Sequence, residues 1–344
     1  MGDPNRPAYI VYTSGTSGQP RGVVHAHRAI WARRMMWQGW YGLKPEDRLL
    51  HAGAFNWTYT LGTGLMDPWA CGATALIPVE GTLPTALPSL MAQYGATIFA
   101  AAPGVYRQML RADPVVIPSL RHGLSAGEKL PDRTRAAFET ATGCAVHEAL
   151  GMSECSTFIS GSPARPAAPG TSGRPQPGRH IAVLNSTGHP VPRGQPGTLA
   201  IHRDDPGLML GYLGAKAETA ARFTGDWFLT GDTVQMDDDD NITYLGREDD
   251  MLNAGGVRVS PLEIEAALTR HPGITEAAAV EREVKADVTV IAAYYTGPAT
   301  LNVAELAAVS AANLAPYKCP RSFTYVAALP KSGNGKINRK ALRQ

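Results

Sequence analysis

Apolar runs of strand length alternate with segments of helical spacing through the first half of the chain. The runs are AYIVYT, GATALIPV and GATIFAAAP, and the segment from Ala29 to Trp40 has the periodicity of a helix. Strands that alternate with helices build sheets covered by helices, so this pattern predicts an α/β architecture. We expect residues 1–172 to form the α/β part of a large domain.

The pattern changes twice further along the chain. A Pro- and Gly-rich stretch at 161–178 predicts a loop, and short β-like segments follow it at IAVLN, GTLAIH and NITYLG. We therefore expect a small β subdomain over residues 173–247. The remaining pieces predict an α+β domain over residues 248–344, in which the segment from Ser260 to Glu263 predicts a helix start with a capping box.

Composition argues against several classes of protein. With 44% apolar and 18% charged residues over 344 positions, the chain is long enough and apolar enough for a substantial buried core. No uninterrupted apolar stretch reaches about 18 residues, so we expect no membrane span. The net charge of +2 comes from scattered Lys and Arg residues, which argues against a nucleic-acid partner.

The cysteines give no sign of a metal or redox site. Cys71, Cys144, Cys155 and Cys319 stand far apart and form no CxxC pair. This usage fits a reducing compartment. The first residues contain no basic stretch followed by an apolar core, so no targeting segment is visible and we expect a cytoplasmic protein.

The segment from Tyr12 to Gly22 is dense in hydroxyl and glycine residues and directly follows a predicted strand. Glycines let backbone N–H groups approach an anion, hydroxyls donate further hydrogen bonds, and an arginine adds positive charge, which together describe a phosphate cradle. A flexible Ser/Gly linker is the alternative, and the spacing of a Walker loop is absent. The residues expected to form the cradle are Thr13, Ser14, Gly15, Thr16, Ser17, Gly18 and Arg21.

Five motifs then occur in a recognisable order: YTSGTSGQPRG, HEALGMSE, FLTGD, GREDDMLNAGGVRVSPLEIE and PKSGNGKINRKALR. In this order they resemble the motifs of the adenylate-forming superfamily, which includes acyl-CoA synthetases, peptide-synthetase adenylation domains and luciferases. The resemblance covers nearly the whole chain. It implies that ATP and Mg²⁺ activate a carboxylic acid as an acyl-adenylate, which is then transferred to CoA, and that the C-terminal domain is mobile.

The resemblance also implies roles for individual residues around the nucleotide. Glu154 would be the oxygen ligand of the magnesium ion, and Asp232 would accept hydrogen bonds from the ribose hydroxyls. Without that context, a Ser-Glu pair is usually a helix cap or surface pair, and an Asp in TGD is a turn residue. The residues assigned to the nucleotide are Glu148, Leu150, Gly151, Ser153, Asp232 and Arg247.

Two of these positions depart from the family. Leu150 stands where relatives commonly place an aromatic residue against adenine, so one stacking surface is replaced by apolar packing. Arg21 replaces the more usual lysine of the phosphate loop and keeps its charge.

The last two motifs supply the residues for the two half-reactions. Lys336 matches the lysine that stabilises the charge developing on the α-phosphate during adenylation, and Asp249 matches the hinge of the C-terminal domain. Gly255 and Gly256 match the segment beside the pantetheine arm of CoA, and Arg258 would help to bind its phosphates. The alternatives are a simple turn at the two glycines and a solvated arginine.

The acyl pocket in relatives corresponds to segments around Phe55, Asn56, Trp57 and Gly127. The aromatic residues among them would provide apolar walls, although they are equally suited to a core. No Trp occurs in HEALGMSECSTF, where acetate-specific relatives place one, so we expect a larger acid, either aliphatic of short or medium length or aromatic.

Relatives also carry a sizeable N-terminal subdomain before the phosphate loop, and this chain begins a few residues before that loop. We therefore expect a homodimer or a partner chain that supplies the missing part. An acid:CoA ligase is the leading interpretation. An adenylation enzyme that loads a carrier protein and an incomplete nucleotide-binding remnant are the alternatives.

Overall fold

The computed structural model describes residues 2–13, 21–112, 114–254, 257–285, 288–331 and 336–343. Residue contacts divide the chain into two compact units. The first contains Met1–Thr230 and Gln235–Thr243, and the second contains Gly231–Val234 and Tyr244–Gln344. The division into two units does not test the three domains expected from the sequence, which stay a prediction.

The first unit combines strands and short helices in alternation. Its strands are β1 Pro7–Thr13, β2 Arg21–Ala26, β3 Arg48–Ala52, β4 Thr74–Leu76, β5 Ile98–Ala101, β6 His122–Ala126, β7 Val146–Met152, β8 Ser156–Ser160, β9 Arg174–Pro175, β10 Ile181–Leu184, β11 Pro196–His202, β12 Gly211–Tyr212, β13 Phe223–Thr224 and β14 Trp227–Met236, of which β14 passes through both units. Its helices are α1 His27–Ala32, α2 Thr58–Leu61, α3 Asp67–Cys71, α4 Leu87–Gln93, α5 Pro103–Met109, α6 Asp132–Thr142 and α7 Lys216–Ala220. Short π-helical turns lie at Trp37–Tyr41 and Gly62–Met66, and a 3₁₀ turn lies at Pro84–Ala86.

A seven-stranded sheet in the order β4-β3-β5-β6-β7-β8-β9 forms the centre of this unit. The strands β4, β3, β5, β6 and β7 run parallel, whereas β8 and β9 join antiparallel at one side. Trp40 and Leu124 belong to the core on one face, and Phe99 and Phe138 belong to the core on the other. A parallel sheet that is buried on both faces is what the alternating pattern predicts, and the α/β fold is confirmed.

The helix expected from Ala29 to Trp40 is not continuous. It is divided into α1 and the π-helical turn, because the N–H groups of Arg34 and Met36 donate to carbonyls three residues earlier and close tight turns. The Pro/Gly-rich stretch is irregular as expected, except that β9 adds a two-residue edge strand to β8. A proline is tolerated there because an edge strand needs no second partner for its N–H side.

Two smaller sheets complete the first unit. One has the order β1-β2-β12, and the other has the order β10-β11-β14-β13 with β15 Ile242–Arg247 paired to β14. The second of these contains the short β segments expected at IAVLN, GTLAIH and NITYLG. The strand β15 begins in the first unit and ends in the second.

The second unit is an α+β structure. Its further strands are β16 Leu252–Ala254, β17 Val257–Val259, β18 Glu276–Lys285, β19 Val288–Thr296 and β20 Ser322–Tyr325, its helices are α8 Pro261–Leu268 and α9 Val303–Asn313, and 3₁₀ turns lie at Glu248–Asp250, Pro316–Lys318 and Arg339–Leu342. The strands form a β16-β17 hairpin and a β18-β19-β20 sheet. Ile264, Leu268, Tyr295 and Leu306 belong to its core.

The start of α8 follows Ser260 as expected, but the capping box is wrong. The Ser260 hydroxyl donates to the carbonyl of Leu245 and makes no cap hydrogen bond. The carboxylate of Glu263 instead accepts from Lys318 Nζ at 2.7 Å. The two side chains that the sequence pattern assigns to the helix terminus therefore have other partners: Ser260 binds a backbone carbonyl, and Glu263 binds an ammonium group.

Within the described residues, no helix has both the length and the apolar character needed to cross a membrane.

Candidate functional site

Several of the predicted site residues follow the ends of the parallel strands. The turn from Phe55 to Trp57 comes shortly after β3, Gly127 follows β6, and Ser153 and Glu154 follow β7. Adjacent parallel strands end at one edge of the sheet, and open α/β sheets bind ligands at that edge. The first unit therefore has the expected acyl-pocket residues, together with Ser153 and Glu154, along one edge, whereas the expected nucleotide residues Asp232 and Arg247 belong to the second unit.

The hairpin of β1 and β2 carries the expected phosphate loop. Thr13 at the end of β1 is paired with Arg21 at the start of β2. Ser14, Gly15, Thr16, Ser17 and Gly18, which complete the expected cradle, lie outside the described residues. The Arg21 Nε is 2.8 Å from a carboxylate oxygen of Glu218, and its guanidinium lies 5.4 Å from the ring centre of Tyr212.

Tyr212 connects the phosphate-loop hairpin with Glu154. Its strand β12 is paired with β2, and its hydroxyl donates to Glu154 Oε1 at 2.7 Å. Burial raises the pKa of Tyr212, and the negative charge of Glu154 raises it further, so the hydroxyl keeps its proton and acts as a donor. The structure thus brings Arg21, Tyr212 and Glu154 together.

The backbone on either side of Glu154 is held as well. The Nε2 of His25, on β2, donates to the Ser153 carbonyl at 2.8 Å, and the Met209 N–H donates to the Glu154 carbonyl at 2.8 Å. Burial lowers the pKa of His25 to about 4, so the imidazole is neutral at neutral pH. Because a carbonyl only accepts, the proton of this neutral ring lies on Nε2. His25 is therefore a structural residue that fixes the segment carrying Glu154.

The turn between β7 and β8 is unusually tight. Ser156 has a positive φ of 59°, which non-glycine residues rarely adopt. A Cβ atom added to Gly151 would lie 2.4 Å from the Ser156 carbonyl oxygen and 2.6 Å from Thr157 Cα. Only glycine fits at position 151, so this residue has a structural requirement independent of any contact with a nucleotide.

Two buried ion pairs contact this turn. In the first, Arg33 Nη2 lies 2.7 Å from Asp67 Oδ2, with side chains 3% and 2% exposed, and Arg33 also donates to the Ser156 hydroxyl. Asp67 accepts a further hydrogen bond from the hydroxyl of Tyr41 at 2.8 Å. A buried charge is tolerated only with such partners, so this network fixes one end of the turn.

The second ion pair holds the other end. Arg179 Nη2 lies 3.0 Å from Asp205 Oδ1, with side chains 1% and 0% exposed, and it donates to the Cys155 carbonyl at 3.1 Å. Arg179 Nε donates to Asp205 Oδ2 at 3.1 Å. Ser153 and Glu154 thus lie on a turn that is fixed on both sides by buried, fully paired charges.

Sequence reasoning missed both ion pairs. Arg33 stands beside Arg34, which is exposed, and no local pattern distinguishes the two arginines. Arg179 and Asp205 belong to separate loops, and nothing in the chain marks them as partners.

Glu148 already has partners in this structure. Its Oε1 accepts from the Leu130 N–H at 2.6 Å, and its Oε2 accepts from the guanidinium of Arg135. Burial raises the pKa of Glu148, and the positive charge of Arg135 opposes that shift. Leu150 is half-buried two residues further along β7, and its assignment to the nucleotide stays a prediction.

The expected acyl-pocket residues are accessible to different degrees. Phe55 and Trp57 are half-buried, and Asn56 is exposed. Gly127 has a positive φ of 100°, and a Cβ added to it would meet no other atom within 4 Å. Open space beside a backbone in this conformation is compatible with a ligand that approaches Gly127 closely.

The second unit brings a different set of predicted residues together. Asp232 Oδ1 accepts from the hydroxyl of Tyr244 at 3.3 Å and from Arg247 Nη1 at 3.2 Å. Burial raises the pKa of Asp232, and the positive charges of Arg247 and Lys336 oppose part of that rise. Asp232, Arg247 and the exposed Lys336 therefore lie near one another in this unit.

The predicted hinge and CoA residues are partly described. Asp249 is exposed in a 3₁₀ turn, and Arg258 donates to the Glu248 carbonyl at 2.5 Å. Gly255 and Gly256 lie outside the described residues.

The donor set fits a magnesium ion held mainly by a nucleotide. Among the described residues, no cluster of three or more His, Cys, Asp or Glu side chains is placed to hold a metal. Mg²⁺ usually binds through one or two carboxylates together with substrate phosphates, and a single carboxylate such as that of Glu154 fits this mode of binding.

Comparison with known proteins identifies the family of this chain. A family model described as AMP-binding enzyme matches residues 1–213, and a model described as AMP-binding enzyme C-terminal domain matches residues 263–336. The 3-hydroxybenzoate–CoA ligase of Aromatoleum sp. (strain CIB) is 31% identical over 99% of this chain and 66% of its own length. The benzoate–CoA ligase of Thauera aromatica is 33% identical over 99% of this chain and 67% of its own length.

Solved structures show the same likeness. The anthranilate CoA ligase AuaEII, in complex with anthranoyl-AMP, superposes with a TM-score of 0.90 at 29% identity, covering 99% of this chain and 67% of that structure. The chain spans 60% to 66% of the length of the curated relatives it matches first. Because the two family models match residues 1–213 and 263–336 in this order, the chain belongs to the AMP-binding, adenylate-forming enzyme family.

Proposed function

We propose that the chain contributes the nucleotide and acid sites of an AMP-forming acid:CoA ligase. The observation that carries the proposal is the contact of Tyr212 with both Arg21 and Glu154, because the first is the cation we assign to the phosphates and the second is the carboxylate we assign to magnesium. The CoA ligases among its relatives support the same reaction class.

The proposed reaction has two steps, an adenylation and a thioester formation. In the first, a carboxylate oxygen of the acid attacks the α-phosphorus of ATP, a P–O bond forms, and pyrophosphate leaves as the bond to the β-phosphate breaks. In the second, the CoA sulfur attacks the acyl carbonyl, a C–S bond forms, AMP leaves as the C–O bond breaks, and the thiol proton passes to solvent.

The chain's residues take separate parts in these steps. Arg21 and Ser153 bind phosphate oxygens, and Asp232 accepts hydrogen bonds from the ribose hydroxyls. Lys336 stabilises the negative charge that develops around the α-phosphate. The magnesium ion, held by Glu154, would neutralise charge on the ATP phosphates.

We propose an aromatic acid as the substrate class. Phe55 and Trp57 supply aromatic surface after β3, and a Cβ added to Gly127 after β6 would meet no other atom within 4 Å. Relatives named for benzoate, 3-hydroxybenzoate and anthranilate support this choice. Aliphatic acids of short or medium length are the alternative substrates against which the experiment compares benzoate.

The test is to incubate the purified chain with ATP, Mg²⁺, CoA and benzoate and to identify products by mass spectrometry. We expect benzoyl-CoA, AMP and pyrophosphate, and we expect Glu154→Gln to raise the magnesium concentration needed for half-maximal turnover, because the amide removes the charge of the ligand. The matched control is Glu46→Gln, because Glu46 is exposed on the loop before β3. Production of ADP, or an unchanged magnesium requirement in Glu154→Gln, would contradict the proposal.

We also propose that a second copy of this chain covers the outer face of the β1-β2-β12 sheet. Ile10, Tyr12 and Leu213 are 44%, 62% and 55% exposed, and all three lie within 3.5 Å of the Cβ that Gly22 lacks. Tyr9 and His25 are stacked together on the opposite face, at 4.7 Å between ring centres. A sheet with apolar residues on both faces needs cover on both.

Light scattering on the purified chain tests this inference. We expect self-association with no other polypeptide present, and we expect Ile10→Ser combined with Leu213→Ser to leave a monomer. Val116→Ser, which removes an exposed apolar side chain elsewhere in the same unit, should not have this effect. A monodisperse monomer before any substitution would overturn the inference.

A further inference from the structure

Arg339 lies three residues after Lys336, in the 3₁₀ turn Arg339–Leu342, and its side chain is turned into the unit. Its Nη2 donates to both carboxylate oxygens of Glu265, at 2.9 and 2.8 Å, and its Nε donates to Glu265 Oε1 at 3.0 Å. Glu265 Oε1 also accepts from the Ala279 N–H at 2.9 Å. Both side chains are 11% exposed, so this bidentate pair fixes Arg339 to α8.

The remaining nitrogen of Arg339 points to the turn that contains the predicted hinge. Nη1 donates to Asp250 Oδ2 at 3.4 Å, and Asp250 belongs to the turn Glu248–Asp250. Arg343 reaches the same turn, with Nη2 3.6 Å from Asp250 Oδ1 and 3.2 Å from the Asp249 carbonyl. Two arginines of the C-terminal segment thus contact the turn.

The segment between Lys336 and Arg339 is held by backbone contacts. The Asn338 N–H donates to the Pro330 carbonyl at 2.8 Å, and Ile337 pairs with Lys331 in an isolated β-bridge. Lys336 therefore stands at the start of a fixed segment, and a displacement of that segment would displace the lysine.

The two contacts of Arg339 differ in strength. Three short hydrogen bonds join it to the buried carboxylate of Glu265, whereas one long hydrogen bond joins it to Asp250, whose side chain is 28% exposed. A rotation of the backbone at the hinge turn would break the weaker contact first and leave the stronger one intact. The Glu265 end is thus an anchor, and the Asp250 end depends on the conformation of the turn.

We propose that Arg339, Glu265 and Asp250 form a clamp that couples the conformation of the hinge turn to the position of Lys336. The proposal rests on the function proposed above and assigns to Arg339 a positioning role for adenylation. With the contact between Arg339 and Asp250 made, the turn keeps the conformation that presents Lys336. With the contact broken, the turn is released for the second half-reaction.

The test measures the two half-reactions separately. Adenylation is followed as benzoate-dependent pyrophosphate release, and thioester formation is followed as conversion of preformed benzoyl-adenylate and CoA to benzoyl-CoA. We expect Asp250→Ala to slow adenylation about 5-fold or more while thioester formation keeps its rate or increases. Arg339→Lys keeps the charge but loses the planar fork, so it should have the same selective effect. Lys340→Gln, which changes an exposed neighbouring cation, should alter neither rate.

Hydrogen exchange tests the clamp without any need for turnover. Asp250→Ala should speed amide exchange in residues 337–343, and Arg339→Lys should speed exchange of the Met251 amide, which donates to the Arg247 carbonyl at 3.1 Å. Coupling requires both effects, because it acts equally in either direction. Equal slowing of both half-reactions, or exchange changes confined to the substituted segment, would overturn the clamp. If the unsubstituted chain shows no turnover, the proposed function fails and the exchange data alone decide on the clamp.

Discussion

Replacement of Lys336 by alanine should lower benzoate-dependent pyrophosphate release by about 10²–10³-fold, the loss typical when one group that stabilises transition-state charge is removed. The side chain is exposed, and its positive charge already acts on Asp232 within the second unit. Because it contributes to the charge balance and not to a core, the substitution should leave the unfolding temperature unchanged.

The matched control for this prediction is Lys340→Ala. Lys340 has the same charge, lies four residues later and is exposed, so its removal should change the rate less than about twofold. A second comparison uses preformed benzoyl-adenylate, whose conversion to benzoyl-CoA should be far less sensitive to Lys336→Ala than adenylation is. Equal losses in Lys336→Ala and Lys340→Ala would mean that general positive charge, and not Lys336, drives the reaction.

The second large effect is expected on stability, from Asp205→Ala. This change leaves the guanidinium of Arg179 buried without its carboxylate, and removal of one partner from a buried pair typically costs about 3–5 kcal/mol. Because Arg179 also donates to the Cys155 carbonyl, the turn bearing Glu154 should loosen as well. Urea denaturation followed by tryptophan fluorescence measures the free energy of unfolding.

An exposed pair in the same unit provides the control for this measurement. Arg203 Nε lies 2.8 Å from Asp226 Oδ1, but the two side chains are 52% and 65% exposed. Asp226→Ala should therefore lower the free energy of unfolding by no more than about 1 kcal/mol. Similar losses in the two variants would show that burial does not govern the Arg179–Asp205 pair.

Much of the fold follows from local features of the sequence. The run AYIVYT forms all of β1 but its first residue, GATIFAAAP contains β5 and the start of α5, and NITYLG lies in β15 except for its first residue. Each run is bounded by turn residues, and its apolar residues are buried or half-buried for the most part, so local patterning and tertiary burial agree. Arg21, Glu154, Asp232 and Lys336 were assigned to the site because the motifs that contain them resemble those of a family, and their roles stay predictions.

The features that sequence reasoning did not predict depend on long-range contacts. Arg33 and Asp67 are separated by 34 positions, and Arg179 and Asp205 by 26, so neither pair has a local signature. The Ser260 hydroxyl donates a hydrogen bond to a carbonyl 15 residues away and does not cap the helix that begins beside it. The partner with which a side chain forms a hydrogen bond or an ion pair depends on the packed tertiary structure. A short sequence pattern does not predict that partner.

Direct detection of an acyl-adenylate tests the central claim most closely. The purified chain is incubated with ATP, Mg²⁺ and benzoate in the absence of CoA, and the protein-bound products are analysed by mass spectrometry. We predict benzoyl-AMP and one equivalent of pyrophosphate, formed only when acid is present. Tight binding of ATP with no benzoyl-AMP, for benzoate and for an aliphatic panel alike, would contradict the assignment of this chain to acid activation.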